Sequence, residues 1–426
     1  MADTSGINRR ELIATFLRIG VLSFGGPAAQ IALMHRVLVE EKRWLGEREF
    51  TNALGFCMLL PGPEAMQLAT YSGWRIHGIS GGLIAGLLFV LPGSLVILAL
   101  AAVYAAYARL PAVDAIFLGI KAAVLVIVVE ALLRISRKAL GQVQHYLIAI
   151  LAFLAIFIFA VPFPLIIAIA ALYGAVFLKA GDAEQNSLHR EKPPVFSRTL
   201  ATIFSWMVLW WLPVAGLAVF GAPQVFADIA TFFSKLAVVT FGGAYAVLAY
   251  MAQQVVGEFG WLNAGEMLDG LGLAESTPGP LILVTEFVGF VSAHRQGGLW
   301  YGIAGAALTL WVTFVPCFLW IFAGAPYIER ISAQPRLTAA LSAITAAVVG
   351  VILNLSIWFG LHVFFGSVNQ VAIGPLSLWL PELASLDWRV LALAFIAAVL
   401  LLRLHLGMLT VLAISASLGL AITAMG

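Results

Sequence analysis

Apolar stretches long enough to cross a lipid bilayer recur from one end of this 426-residue chain to the other. About 20 apolar residues span the hydrocarbon core as an α-helix, and roughly thirteen such segments are present. They lie near residues 11–35, 50–76, 79–108, 112–133, 144–161, 163–179, 199–221, 227–256, 265–293, 297–324, 336–363, 388–403 and 406–425. Only 10% of residues are charged, too few for a water-soluble surface. The sequence therefore predicts an all-α, polytopic integral membrane protein.

The sequence also argues against several other classes of protein. A net charge of +2 gives no reason to expect a nucleic-acid partner. Cys57 and Cys317 lie in apolar runs and lack the spacing of a disulfide framework or a metal site. No phosphate-binding loop is present, so ATP-driven pumping has no support. We expect no metal, no cofactor and no enzymatic activity, because an intramembrane hydrolase or transferase would need a nucleophile–base pair or a metal cluster.

The chain contains an internal duplication. The motif Val21-Leu22-Ser23-Phe24-Gly25-Gly26 matches Val238-Val239-Thr240-Phe241-Gly242-Gly243 in the second half. The same offset, without a gap, pairs Arg18 with Lys235, Trp44-Leu45 with Trp261-Leu262, and Pro61-Gly62-Pro63 with Pro278-Gly279-Pro280. Chance does not hold one register through so many Gly, Pro and Trp positions. We therefore divide the chain into an N-terminal repeat (1–179), a linker with a central connecting span (180–226) and a C-terminal repeat (227–426).

The distribution of basic residues predicts that the two repeats are inserted in opposite orientations. Arg134, Arg137 and Lys138 follow the fourth span of the first repeat, whereas the matching region 364–386 of the second has no Lys or Arg. Conversely, Arg330 and Arg336 lie where the first repeat has only Arg109. Basic loops mark the cytoplasm, so the cytoplasmic loop moves by one position between the repeats.

The extra span near 199–221 explains this inversion. Six spans return the chain to its starting side, and a seventh inserts the second repeat upside down. The N-terminus and the linker 180–198 are then cytoplasmic, and the C-terminus is outside. The loop 36–49 conflicts in part, because it would lie outside although it contains Arg36, Lys42, Arg43 and Arg48.

Each repeat contains two helix breaks. They are Gly25-Gly26-Pro27 and Pro61-Gly62-Pro63 in the first repeat, and Gly242-Gly243 and Pro278-Gly279-Pro280 in the second. Proline favours the first position of a helix, so we expect Pro27, Pro63 and Pro280 each to begin a half-helix. Such N-termini present free N–H groups to anions, and interrupted helices in inverted repeats are typical of secondary transporters. The alternative is that the breaks are kinks needed for tight packing.

Ionisable residues near these breaks or within the spans are further candidates. Arg18 and Lys235 each lie seven residues before a Gly-Gly pair, where they line the approach to the site or snorkel to the interface. Glu64 follows Pro63 directly, so it either caps the half-helix or competes with an anion for its N-terminus. Gln30, Gln67 and Thr277 are polar candidates for substrate binding. Candidates for ion coupling are Glu64, Lys121, Glu130 and Glu275, of which Lys121 and Glu130 either pair with other helices or line the pathway.

Four strings of residues resemble the chromate ion transporter family in its long, two-domain form. They are Phe24-Gly25-Gly26-Pro27, Leu60-Pro61-Gly62-Pro63-Glu64-Ala65-Met66-Gln67, Phe241-Gly242-Gly243 and Thr277-Pro278-Gly279-Pro280. The resemblance covers nearly the whole chain. It implies a secondary transporter that exports chromate across the bacterial inner membrane and confers chromate resistance. Sulfate, a tetrahedral dianion of similar shape, is an alternative substrate, and an anion channel is an alternative function. The expected partners are an oxyanion and the lipid bilayer; the oligomeric state is open, with a homodimer as one option.

The charge pattern generates a prediction about topology. Reporter fusions within residues 180–198 should be active in the cytoplasm, and fusions at the C-terminus should be active outside, because seven spans separate the start of the two repeats. If both termini map to the same side of the membrane, the central span does not invert the second repeat.

Overall fold

The computed structural model describes residues 7–108, 110–178, 196–241, 244–328, 331, 334–374 and 376–425. These residues form α-helices together with one two-stranded antiparallel sheet. The helices are α1 (Arg9–Leu22), α2 (Gly26–His35), α3 (Glu47–Leu59), α4 (Glu64–Tyr107), α5 (Pro111–Ala139), α6 (Val143–Phe157), α7 (Phe163–Phe177), α8 (Phe196–Val219), α9 (Gln224–Val239), α10 (Ala244–Ala252), α11 (Ala264–Ser276), α12 (Val284–Gly297), α13 (Leu299–Gly324), α14 (Pro335–Phe364), α15 (Trp388–Ala398) and α16 (Met408–Met425). The strands are β1 (Val368–Ile373) and β2 (Leu376–Pro381).

Five helical segments in the described part of the chain are long and apolar enough to cross a membrane. They are Glu64–Tyr107, Pro111–Ala139, Ser197–Val219, Leu299–Tyr327 and Pro335–Phe364. The first of these is two helices that meet at a kink, where His77 and Gly78 have non-helical backbone angles. Other apolar stretches are divided, as the breaks predict: α3 ends at Leu59 before α4 begins at Glu64, and α11 ends at Ser276 before α12 begins at Val284. The predicted all-α class and the two interrupted Pro-Gly-Pro segments are therefore confirmed.

The duplication is present in the backbone as well as in the sequence. Two π-helical turns, Arg36–Glu41 and Gln253–Glu258, occupy corresponding positions in the two repeats. Gly62 and Gly279 correspond in the same register and have positive φ angles of 122° and 92°. Toward the end of each repeat the residue offset between matching elements is larger. Helices α15 and α16 match α6 and α7, and they begin farther along the chain than the offset of the earlier elements would place them. The two repeats thus share their helix order, and the second has gained residues after α14.

The hairpin β1–β2 lies within this insertion and was not predicted. Ile373 pairs with Leu376 across a two-residue connection, in which Gly374 has a φ of 61°, the left-handed value that tight hairpin turns require. The Trp379 ring packs edge-on against the rings of Trp358 and His362 on α14. These aromatic contacts fix the hairpin to the end of that helix.

The chain divides into two compact units, and each unit contains segments of both sequence repeats. Unit 1 is Met1–Leu100, Lys179–Ala244 and Thr277–Thr338; unit 2 is Ala101–Leu178, Tyr245–Ser276 and Ala339–Gly426. In unit 1, α13 packs against α8, α9 and α12, and in unit 2, α5 packs against α11, α15 and α16. The division into repeats at 1–179, 180–226 and 227–426 remains a prediction from the sequence. Most of the linker, residues 179–195, lies outside the described residues.

Small residues allow α5 and α16 to approach closely within unit 2. A Cβ atom at Gly119 would collide with the carbonyl oxygen of Ser415, and one at Gly419 would collide with that of Ala115. Both helices thus present small residues four positions apart, the pattern that brings membrane helices into backbone contact.

This packing generates a prediction about stability. Replacing Gly119 by Ala should lower the free energy of unfolding by about 1–3 kcal/mol, because the added methyl group overpacks a backbone contact. The matched control is Gly216→Ala on α8, where a Cβ atom would meet no atom within 4 Å. Thermal unfolding in detergent measures both, and equal melting temperatures would contradict the predicted contact.

Candidate functional site

The helix breaks of the two repeats are joined by a reciprocal pair of hydrogen bonds in unit 1. The Gly62 N–H donates to the Thr240 carbonyl oxygen at 2.9 Å, and the Gly279 N–H donates to the Ser23 carbonyl oxygen at 2.8 Å. Gly62 corresponds to Gly279, and Ser23 to Thr240, at the offset that relates the two repeats. Each Pro-Gly-Pro is therefore held by the break of the other repeat. We call these four segments the break cluster: 23–27, 61–63, 240–241 and 278–280.

Side-chain hydroxyl groups shape the two breaks in the same way. Ser23 Oγ donates to the Ile19 carbonyl oxygen at 2.6 Å, and Thr240 Oγ1 donates to that of Leu236. Both hydroxyl groups are buried and bond the carbonyl one turn earlier. Ser23 and Thr240 follow the last residues of α1 and α9, so their carbonyl oxygens have no partner within the helix and can accept from the other repeat.

The two Pro-Gly-Pro glycines satisfy a conformational and a steric requirement. Their positive φ angles are costly for any residue with a Cβ atom. A Cβ atom at Gly62 would also lie 2.8 Å from both Cys317 Sγ and Gln67 Nε2. Glycine at both positions therefore lets the chain turn sharply between packed helices.

Three helix N-termini begin at the break cluster. Pro27 lies in the first turn of α2, and Glu64 is the first residue of α4, directly after Pro63. Pro280 precedes a 3₁₀ turn, Leu281–Leu283, that continues into α12. The prediction that each proline begins a half-helix is confirmed, with a tighter first turn after Pro280. First-turn N–H groups have no acceptor within their helix and give each N-terminus a partial positive charge.

Two buried glutamines bind the carbonyl groups of the cluster. Gln30 Nε2 donates to the Gly279 carbonyl oxygen at 2.7 Å, and Gln67 Nε2 donates to that of Pro61 at 2.7 Å. Neither Oε1 atom has a hydrogen-bond partner among the described residues, although both are buried. Buried polar atoms are rarely left without a partner, so these two acceptors indicate a place for a hydrogen-bond donor.

A buried carboxyl group lies beside the second Pro-Gly-Pro. Glu286, in the first turn of α12, is 1% exposed. Its Oε1 accepts a hydrogen bond from Ser94 Oγ at 3.1 Å, and its Oε2 has no partner in the described residues. The neighbouring Gly93 lies so close to Pro278 that a Cβ atom would collide with the Pro278 carbonyl oxygen. The Ser94–Glu286 pair is thus a neighbour of the break cluster.

The predicted basic residues lie on exposed surfaces away from these contacts. Arg18 Nη1 forms an ion pair with Glu41 Oε2 at 2.9 Å, and the Arg18 side chain is 50% exposed. Lys235, its counterpart, is also exposed. Thr277 is buried next to Pro278. Gly242 and Gly243, the predicted first break of the second repeat, lie outside the described residues.

The other predicted coupling residues lie in unit 2. Lys121 Nζ on α5 is 3.4 Å from Asp269 Oδ1 on α11, and Glu275 Oε1 accepts from the Tyr245 hydroxyl group at 2.8 Å. Glu130 pairs within its own helix with Arg134 at 3.6 Å. Lys121 therefore pairs with another helix, one of the two alternatives that the sequence left open, whereas Glu130 does not.

The predicted site omitted two buried carboxyl groups, Asp269 and Glu286. Both lie in stretches predicted to span the membrane. An ionisable side chain there costs free energy, so its presence indicates a functional role. A search for every acidic residue within the spans, rather than for residues adjoining the breaks, would have found them.

Comparisons with known proteins agree with one another. The sequence profile of the chromate transporter family matches residues 10–175 and 227–420 of this chain. A chromate transport protein of Pseudomonas aeruginosa is 35% identical over 349 residues, which cover 80% of this chain and 79% of that protein. One of Cupriavidus metallidurans is 31% identical over 351 residues, 80% of each chain. A probable chromate transport protein of Synechococcus elongatus is 30% identical over 82% of this chain and 84% of its own length. No solved structure matches significantly.

The geometry around Glu286 generates a prediction about coupling energy. Ser94→Ala and Glu286→Ala should be non-additive in a double-mutant cycle, with an interaction free energy of about 0.5–2 kcal/mol, because each removes one partner of the hydrogen bond that the two side chains share. Chemical unfolding in mixed micelles gives the free energies of unfolding of the unsubstituted protein, the two single variants and the double variant. Ser292→Ala is the matched control, since Ser292 Oγ is buried and bonds the Val288 carbonyl oxygen of its own helix. A cycle with Ser94 that is as additive as the one with Ser292 would contradict the pairing.

Proposed function

This chain belongs to the chromate transporter family, and we propose that it is a secondary transporter that exports chromate across the bacterial inner membrane and thereby confers chromate resistance. One observation carries the proposal: the reciprocal bonds of Gly62 and Gly279 bring the helix breaks of both repeats together. Interrupted helices that meet in this way form the substrate sites of inverted-repeat transporters.

The break cluster has the chemistry that an oxyanion requires. The N-termini of α2, α4 and α12 begin there, and each offers N–H donors with a partial positive charge. Backbone donors bind an anion without a fixed counter-charge, so that the anion can also leave. We assign substrate binding to residues of these breaks and to Gln30 and Gln67, whose buried Oε1 atoms can accept a hydrogen bond from a protonated oxyanion or from a bound water molecule.

We assign Glu64 to regulation of the same site. As the first residue of α4, an ionised Glu64 would occupy the positive end of the helix and repel a dianion. A protonated Glu64 could instead donate a hydrogen bond to the oxyanion. Arg18 and Lys235, which are exposed, would attract anions toward the approach to the site.

The membrane potential favours the proposed direction of transport. Moving one elementary charge across 100 mV is worth about 2.3 kcal/mol, so a dianion that leaves a cell with a negative interior gains about 4.6 kcal/mol per 100 mV. The potential favours export until the external concentration of the anion greatly exceeds the internal one. With the N-terminus in the cytoplasm and the C-terminus in the periplasm, the two repeats would present the site alternately to the two sides.

Flux measurements in inverted membrane vesicles test the function, because uptake into such vesicles corresponds to export. We expect saturable chromate uptake that is driven by an interior-positive potential and is inhibited by sulfate and molybdate, but weakly by chloride.

Gly279→Ala should lower the initial rate by about tenfold, since a Cβ atom strains the left-handed backbone by about 1–2 kcal/mol. Gly46→Ala should transport normally, because Gly46 has a φ of −76° and a Cβ atom there meets nothing within 4 Å. Sulfate uptake without chromate uptake would assign the chain a different substrate. Anion accumulation that never exceeds the level set by the membrane potential, whichever coupling-ion gradient is imposed, would indicate a channel.

A further inference from the structure

Unit 2 contains a buried carboxyl group that contacts a cation and a phenol. Asp269 on α11 is 4% exposed. Its Oδ2 accepts a hydrogen bond from the Tyr104 hydroxyl group at 2.8 Å, and its Oδ1 lies 3.4 Å from Lys121 Nζ. Tyr104 and Lys121 belong to the first repeat and Asp269 to the second. The donors and the acceptor thus come from different copies of the duplicated sequence.

The ion pair is a loose one. Charge-assisted N–H···O bonds to carboxylates are about 2.7–2.9 Å long, and Asp269 Oδ1 makes no hydrogen bond with any described residue. The Lys121 side chain is 23% exposed and that of Asp269 only 6%. The Lys121 side chain is therefore the more exposed partner.

The face of α11 around Asp269 packs closely against Lys121 and its neighbour Ile120. Gly265, Asp269 and Gly272 are spaced by four and three residues, so they share one face of the helix. A Cβ atom at Gly265 would lie 3.3 Å from Lys121 Nζ, and one at Gly272 would collide with the Ile120 side chain. Glycine on both sides of Asp269 therefore lets α11 pack against α5 at the level of Lys121.

The carboxyl group is specific to the second repeat. In the register that pairs Gly62 with Gly279, the counterpart of Asp269 is Asn52, which has a similar shape and no charge. Asn52 is exposed, whereas Asp269 is buried. An acidic residue in only one copy indicates a chemical role for its charge.

Few other ionisable groups face this cluster. On α5, Asp114 is close enough to affect the Asp269 carboxyl group, in addition to Lys121. The end of α4 contributes Tyr104. Helix α16, which also packs against α11, has no acidic or basic residue between Met408 and Met425. On α11 itself, Glu266 accepts a hydrogen bond from the Asn263 N–H group, and Glu275 accepts one from the Tyr245 hydroxyl group. Lys121 is thus the cation that balances Asp269.

We propose that Lys121 and Tyr104 form an oxyanion-binding site which ionised Asp269 occludes, and which opens when Asp269 takes up a proton. This inference rests on the proposed transport of an oxyanion. A proton from water binds Asp269 Oδ1 and forms a neutral carboxyl group, which leaves the Lys121 ammonium group without its counter-charge. The ammonium and the Tyr104 hydroxyl group then donate to oxygens of the tetrahedral anion. Release of the anion returns the proton to water and restores the Lys121–Asp269 pair, so one proton binds with each anion at this site.

Two substitutions distinguish this site from an ion pair that only stabilises the fold, because they should have opposite effects. The measured quantity is the concentration of sulfate that half-inhibits uptake of trace chromate into inverted vesicles, because sulfate stays a dianion between about pH 5 and about pH 8, the range in which perturbed carboxyl groups titrate. In the unsubstituted protein it should rise with pH. Asp269→Asn should keep it low at every pH, since Lys121 stays unpaired, whereas Lys121→Gln should raise it by about tenfold at every pH, the loss expected for one charge-assisted contact.

Asp387→Asn is the matched control for removal of a carboxylate from an ion pair. Arg389 donates two hydrogen bonds to Asp387, of 3.1 Å and 2.8 Å, and these bonds hold the pKa of Asp387 below its usual range. Asn also serves as a helix N-cap, so Asp387→Asn should keep the unsubstituted pH profile. If Asp269→Asn does not insert, the isosteric double variant Asp269→Asn/Lys121→Gln leaves no buried charge and should give weak, pH-independent inhibition by sulfate.

Three results would overturn the proposal. They are an unchanged pH profile in Asp269→Asn, a pH profile that persists in the double variant, and equal losses of affinity in Asp269→Asn and Lys121→Gln. A profile that is abolished by Glu64→Gln but not by Asp269→Asn would assign the proton to the break cluster instead. Failure of the unsubstituted protein to move any oxyanion would contradict the proposed function and is recognised before any variant is compared.

Discussion

The crossed hydrogen bonds between the two repeats are the constraint on which the break cluster depends. An N–H group without a partner costs several kcal/mol in a medium that lacks water, so interrupted helices survive in a membrane only where the freed groups find protein partners or line a cavity. Gly62 and Gly279 find theirs in Thr240 and Ser23. The N–H group of each Pro-Gly-Pro glycine is bonded by a carbonyl oxygen of the other repeat. The two glycines therefore occupy the same register in their repeats, and the break segments of both repeats lie in unit 1.

The side chains are less symmetric than this backbone frame. The buried acidic residues of the described chain, Asp269, Glu275 and Glu286, all belong to the second repeat. The donors to two of them, Tyr104 and Ser94, come from the first repeat. A duplicated backbone therefore supports two chemically different halves, one mainly supplying donors and the other carboxyl groups. Such a difference is what a transporter needs if proton binding and anion binding are to be linked rather than independent.

Much of the fold could be predicted because the signals are local. Apolar length locates the spans, and Gly and Pro locate the breaks, so the beginnings of α2 and α4 follow from Pro27 and Pro63. The carboxyl contacts could not be predicted in this way, because Ser94 and Glu286 are 192 residues apart, and Tyr104 and Asp269 are 165 apart. Neither separation equals the repeat offset, so the duplication gives no hint of them. The hairpin β1–β2 could not be predicted from the duplication, because its two strands lie among residues that have no counterpart in the first repeat.

The distribution of charge also bears on how a dianion could pass. A site built from fixed, buried cations would bind chromate tightly and release it slowly, whereas transport needs binding that is weak enough for the ion to leave. In the break cluster the donors are N–H groups of helix N-termini, which carry only partial charges. In unit 2 the ammonium group of Lys121 already has a counter-ion in Asp269, so its net attraction for an anion depends on whether that carboxyl group is ionised. In both proposed sites, then, a carboxyl group controls the attraction for an oxyanion: Glu64 at the first residue of α4 and Asp269 beside Lys121.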